Sequence, residues 1–139
     1  MSRLKIKIPD KFIFSMDIPI RISDINFAGH LGHDRLISLL HEVRARFFKF
    51  HGFTELDVVG TGIIMADLQV VYKSEANFMD VLKCNLAISD WSKKGCVFYY
   101  QLIHPTGIEV ARASTSIVFF DYQSRRPVQI PDSFRNIFV

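Results

Sequence analysis

The chain is short of the residues that announce several specialised protein classes. Its 139 residues include only two cysteines, Cys84 and Cys96, too few for the disulfide framework of a small secreted domain, so two reduced thiols are expected. Seven glycines and five prolines form no linker or low-complexity tract, and no segment repeats; one domain over residues 1–139 is expected. No stretch reaches the ~18 consecutive apolar residues of a membrane span, and the start, MSRLKIKIPD, has charge but no apolar leader segment. These absences point to a cytoplasmic protein with no membrane partner. Basic residues are scattered and the net charge is only +3, which is not the basic stripe of a nucleic-acid binder.

Apolar residues, by contrast, are abundant. They make up 49% of the chain and include 13 phenylalanines, enough for either a large aromatic core or an apolar surface reserved for a partner subunit.

The apolar periodicity changes along the chain. Phe12, Phe14, Met16, Ile18 and Ile20 alternate, as in a strand, and Pro19 confines that strand to an edge or an end. Leu36, Leu39, Leu40, Val43, Phe47 and Phe50 then recur at three- and four-residue spacing, the stripe of one long buried helix. Asp34 or His33 stands where an N-cap belongs, and Gly52 can end the helix. From about Gly62 onward, GIIMADLQVVYK, DVLKCNLAISDW, CVFYYQLIH and EVARASTSIVFFDY read as strands joined by turns such as SKKG and HPTG. The two cysteines fall in neighbouring strands. The tail, with two prolines, reads as an irregular strap with at most a last helical turn. The expected class is α+β, with one long central helix wrapped by a curved antiparallel sheet of about five strands. Such a sheet covers the helix with one face only. The other must meet water or a second subunit, and the apolar content favours a subunit.

Between the first strand and the helix lies DINFAGHLGHD, residues 24–34. A metal site built on His30, His33 and Asp34 lacks a further spaced donor, so no metal is expected. The positive end of a helix would stabilise a developing oxyanion, and Gly29 and Gly32 permit a close backbone approach.

The order strand, loop, helix and four-strand meander resembles the hotdog fold, and within it the 4-hydroxybenzoyl-CoA thioesterase-like superfamily of acyl-CoA thioesterases. Asp24, Asn26 and His30 match the family's loop, Glu42 and Arg44 match its helical Glu-x-Arg, and His33 stands where Asn is usual. The resemblance implies hydrolysis of a fatty or aromatic acyl thioester to free acid and CoA. It also implies no cofactor beyond the CoA thioester substrate, and a homodimer or homotetramer with sites at subunit interfaces. Some family members carry, at the Asn26 position, an Asp that attacks the thioester or activates water. An amide cannot do this, so the base must lie elsewhere.

The candidate catalytic set is Asn26, His30, Glu42, Asp67 and Asp24. His30 could position Asn26, bond the thioester carbonyl or shuttle a proton. Glu42 borders the apolar stripe, where burial could turn it into a base, unless it pairs with Arg46. Asp67 sits mid-strand, where packing explains a carboxylate poorly; alternation puts it on one face with Met65 and Gln69, opposite Ile64, Leu68 and Val70. Asp24 is expected to organise the loop. Gly29, Leu31, Gly32 and His33 are the candidate substrate-binding residues, with Lys73 as a phosphate contact. Two other readings are kept: a hotdog hydratase or dehydratase acting on an enoyl or hydroxyacyl thioester, and a non-catalytic acyl-thioester binder.

Overall fold

The long helix forms where its spacing predicts. In the structure, a computed structural model describing residues 3–139, α1 spans His33–Phe50 and buries Leu36, Leu39, Leu40, Val43 and Phe47 along one stripe. Gly52, at φ +80°, ends it in the left-handed region. The buried arc is wider than the expected stripe. Phe48 is fully buried, whereas Phe50 is exposed and packs its ring on Phe14 at 5.9 Å.

Before α1 runs β1 (Phe14–Pro19), and after it come β2 (Gly62–Tyr72), β3 (Val81–Ser89), β4 (Gly95–Ile103) and β5 (Glu109–Asp121). They form one antiparallel sheet in the order β1-β3-β4-β5-β2. The tail departs from an irregular strap. Arg126–Pro127 pairs with β5 as a short β6, making a sixth strand, and Asp132–Phe138 forms a second helix, α2. Phe134 and Phe138 of α2 stack among Phe47, Phe48, Phe53 and Phe119, so much of the phenylalanine content is core at the C-terminal end of α1.

Cross-strand register explains the two faces of the sheet. Phe14, Leu86, Tyr100, Ala113 and Val70 stand in one row toward α1. The next row, Ser15, Asn85, Gln101 and Arg112, faces away and is polar. Ser15 Oγ donates to Asn85 Oδ1 (2.6 Å), Asn85 Nδ2 to Gln101 Oε1 (3.1 Å), and both Gln101 Nε2 and Arg112 Nε to Glu109 Oε2. Burial works against the Glu109 charge, yet these bonds and the neighbouring Arg112 and Lys73 hold its carboxyl below the usual range. The N-terminal segment also crosses here: Ile6 is buried and its carbonyl accepts from Arg112 Nη1. The row from Ser15 to Arg112 on this outer face is therefore polar.

Strand β2 contains a bulge at Ala66: Met65 opposes Ile117, and Asp67 opposes Ser116. The extra residue shifts the alternation. Met65 turns to the helix side with Leu68, contrary to simple alternation, while Asp67 stays outward. Its Oδ1 accepts the Ser116 backbone N–H at 3.3 Å, across the disturbed ladder.

Cys84 and Cys96 are free and buried, and burial pushes both thiols up to about 12. They are not close: Cys84 opposes Leu102, which lies six positions from Cys96 along β4, about 20 Å in an extended strand. No helix of the described residues is long and apolar enough to cross a membrane.

Arg44, the arginine of the helical Glu-x-Arg match, is buried in the core. Its Nε donates to Glu55 Oε2 (3.0 Å) and its Nη1 to the Tyr100 hydroxyl (3.2 Å), which also meets Thr115 Oγ1 at 2.9 Å. Arg44→Ala would remove one of the two partners of the Tyr100 hydroxyl and leave Glu55 with His41 alone, and should lower the unfolding free energy by about 2 kcal/mol. Arg44→Met, which keeps the packing of the stem, should cost less; urea denaturation of the two variants measures the difference.

Candidate active site at the start of the long helix

The polar loop before α1 is held by its own side chains. Asp24 is 2% exposed, and its carboxylate accepts the Arg21 backbone N–H (2.9 Å), Nε (3.2 Å) and Nη2 (3.1 Å). Burial disfavours its charge, but the hydrogen bonds and charge of Arg21 outweigh that and hold the carboxyl below its ordinary range. Its backbone carbonyl accepts from Gly32 N–H, closing the loop. Asp24 thus organises the loop as expected.

Asn26 Oδ1 accepts two backbone N–H groups, from Ala28 (3.0 Å) and His30 (3.2 Å), and Gly29 completes the turn at φ +87°. One residue past His30, the Leu31 N–H donates to the Ala76 carbonyl at 2.8 Å. That bond ties the loop to the connection between β2 and β3.

Between these segments and α1 lies a cavity of about 360 Å³. Asn26, His30, Leu31 and His33 line one side, and Tyr72, Lys73, Ser74, Glu75 and Ala76 line the other. Inside it, His30 Nε2 lies 3.1 Å from Glu75 Oε2. Glu75 had no place among the sequence candidates. Its signal was the acidic turn SEANFMD, but nothing in the sequence says that this turn meets the loop before the helix.

The cavity also meets the N-terminus of α1. The N-cap is Gly32, one residue earlier than expected, and no side chain caps the first turn. The N–H groups of His33, Asp34 and Arg35 therefore have neither an intrahelical partner nor a side-chain cap. A Cβ at Gly32 would lie 2.8 Å from Asp34 Oδ1, the free end of an exposed side chain that can turn aside. The Tyr72 hydroxyl donates to the His33 carbonyl (3.3 Å), and burial, helped by the Asp34 charge, raises its pKa so that it remains a neutral donor. Lys73 lines the cavity but already has a partner, with Nζ 3.5 Å from Glu109 Oε1.

Five sequence candidates do not line this cavity: Asp24, Gly29 and Gly32 belong to the loop backbone beside it, and Glu42 and Asp67 lie away from it. Glu42 is exposed and accepts from Arg46 Nε, the surface pair that its spacing allowed, and Asp67 is on the outward side of β2. A second cavity, about 180 Å³, follows along the same flank of α1. Ile37, Leu40, His41 and Arg44 line it, with Met65, Leu68 and Thr115 opposite. Among the described residues, no three of His, Cys, Asp and Glu are grouped to hold a metal ion.

The profile of the thioesterase-like superfamily matches residues 20–138, which include the loop, both helices and every strand but β1. The chain belongs to that superfamily. It is 22% identical over 120 residues to Bacillus subtilis (strain 168) YneP, provisionally assigned as an acyl-CoA thioesterase, covering 85% of this chain and 87% of that protein. In fold, this superfamily member matches Slr0204, a 1,4-dihydroxy-2-naphthoyl-CoA thioesterase from Synechocystis, with TM-score 0.80 and 16% identity over 88% of this chain and 93% of the other. Staphylococcus aureus SAV2348, solved in complex with CoA, matches with TM-score 0.82 and 19% identity, covering 95% of this chain and 84% of that one. The wrapped-helix architecture is the hotdog fold.

The lowered Asp24 pKa fixes a sign for stability against pH. A carboxyl depressed in the folded state contributes fully above its unfolded value of about 3.9, and loses that contribution as pH falls toward the folded value. Asp24→Asn should therefore be less stable than the parent at pH 6, with the gap closing as pH drops below about 4. Urea midpoints measured across that range test it.

Proposed function

We propose that this thioesterase-like protein hydrolyses acyl-CoA thioesters to free acid and CoA at the loop–helix cavity. One observation carries the reading: a helix N-terminus without a side-chain cap opens into a cavity that also holds a histidine. A thioester carbonyl placed at the N–H groups of His33, Asp34 and Arg35 meets donors that are already fixed, and these stabilise the oxyanion as it forms. His30 handles the proton. Asn26 shapes the turn that presents His30, because its side-chain oxygen is already committed to the backbone.

The CoA-bound relative and the provisional assignment of YneP support CoA as the thiol. Lys73 and Arg35 are the cations nearest to this opening in sequence, and we assign them to its phosphates. The acyl group lies along the α1–β2 flank, with its far end in the 180 Å³ cavity. A cavity of about 150 Å³ holds a benzene ring, so the seat suits one ring or a short chain. The enzyme acts in the cytoplasm, where Cys84 and Cys96 stay reduced. It acts as a homodimer or higher oligomer, with the unpaired outer edge of β2 meeting a second copy. Asp67 then belongs to that interface.

A hydratase would want His30 and a carboxylate on opposite sides of the substrate, whereas Glu75 touches His30, which favours hydrolysis. A panel of acyl-CoAs followed by free-thiol release tests the reading. Hydrolysis releases thiol, a hydratase consumes the enoyl absorbance without thiol, and a binder does neither. His30→Ala should lower kcat/KM by roughly 10²–10⁴-fold with the fold intact. Met65→Trp, which fills the second cavity, should depress turnover of the larger acyl groups while sparing acetyl-CoA.

A further inference from the structure

We infer that Glu75 is the positioning residue for His30, and that this pair activates water in place of a carboxylate in the loop. The inference rests on the thioesterase reading above and supplies the base that Asn26 cannot be. The other acidic groups near the loop have other duties. Asp24 is buried on Arg21, Asp34 is exposed beside Arg35 and does not line the cavity, Glu42 pairs with Arg46, and Asp67 bonds the Ser116 N–H of β5. Among the described residues lining the cavity, Glu75 is the sole carboxylate.

The geometry gives the pair a direction. His30 Nε2 lies 3.1 Å from Glu75 Oε2, so the carboxylate favours the tautomer with its proton on Nε2, and the Nδ1 lone pair is left to act as base. The contact is held from both sides, because the Leu31–Ala76 backbone bond joins the residues directly following His30 and Glu75. Both side chains are partly exposed, so water reaches them.

The step balances without any other reactant. His30 Nδ1 takes a proton from water as the water oxygen bonds to the thioester carbon, and the carbonyl electron pair moves to oxygen, facing the α1 N–H groups. The C–S bond then breaks as the oxyanion collapses, and the sulfur leaves with the proton from His30. Acid and thiol result, and Glu75 stabilises the imidazolium between the two transfers.

The test is Glu75→Gln, Glu75→Asp and His30→Ala, with the double variant Glu75→Gln/His30→Ala, assayed by thiol release on the best acyl-CoA of the panel. Glu75 is exposed, so its variants should melt with the parent. Glu75→Gln should lower kcat at least about tenfold with KM nearly unchanged, and Glu75→Asp should recover part of the loss. In the His30→Ala background, Glu75→Gln should cost nothing further, because the two act as a unit. A Glu75→Gln enzyme with parental kcat, a loss confined to KM, or a full additive loss in the double variant overturns the pair while leaving thioester hydrolysis standing. A parent protein that releases no thiol from any acyl-CoA overturns the hydrolase reading, and the pair with it.

Discussion

Everything in this molecule is arranged around burying one helix with one sheet. The apolar stripe of α1, from Leu36 to Phe47, has a single sheet face to pack on, so β1 and β2 become the two edges of a sheet that curves around it. Wrapping covers the flanks of a helix but not its ends. At the C-terminal end, α2 and its phenylalanines close the core. At the N-terminal end there is no such plug. Gly32 contributes no capping side chain, and His33 and Leu36 at the start of α1 line a cavity. The cavity proposed as the active site therefore sits where the packing leaves off, beside the positive end of the helix.

The polar residues of the loop serve mostly to hold its shape. Asp24 reads as the organiser of the loop and Asn26 as a reactive candidate, and the oxygens of both accept hydrogen bonds that fix the turn. A loop without regular pairing must satisfy its backbone donors somehow, and short Asp and Asn side chains do so locally. What this rigidity achieves is the placement of His30. The His30 side chain, proposed above as the proton carrier, is one that the loop does not need for its own hydrogen bonding.

Local patterns carried most of the fold. Period-two alternation located β1, runs of strand-favouring residues between turns located the four later strands, and the three-and-four spacing located α1, because these signals are local. Features set by distant contacts were not legible. Nothing adjacent to Arg44 tells that Glu55 and Tyr100 will satisfy it inside the core. The bulge at Ala66 reverses the alternation that had put Met65 beside Asp67. Phe134 and Phe138 gave too short a pattern to compete with the prolines before them, so α2 was read as a strap. Glu75 was hidden for the same reason: its partner is 45 residues away, joined only by the topology.

The loop that carries Glu75 is rigid because of the sheet face farthest from α1. The polar row there ends on Glu109, which draws in Lys73 by charge and accepts Ser74 Oγ on its backbone carbonyl at 2.7 Å. The Lys73 and Ser74 N–H groups both donate to the Val110 carbonyl, so the two residues before Glu75 are pinned to the start of β5. Beyond Glu75, Ala76 is buried and holds Leu31, and the Asn77 N–H donates to Asp80 Oδ2. A carboxylate anchored on both sides cannot drift from its histidine by loop motion alone. Its remaining freedom is side-chain rotation, which is the freedom that a positioning group needs if the imidazole is to turn between water and sulfur.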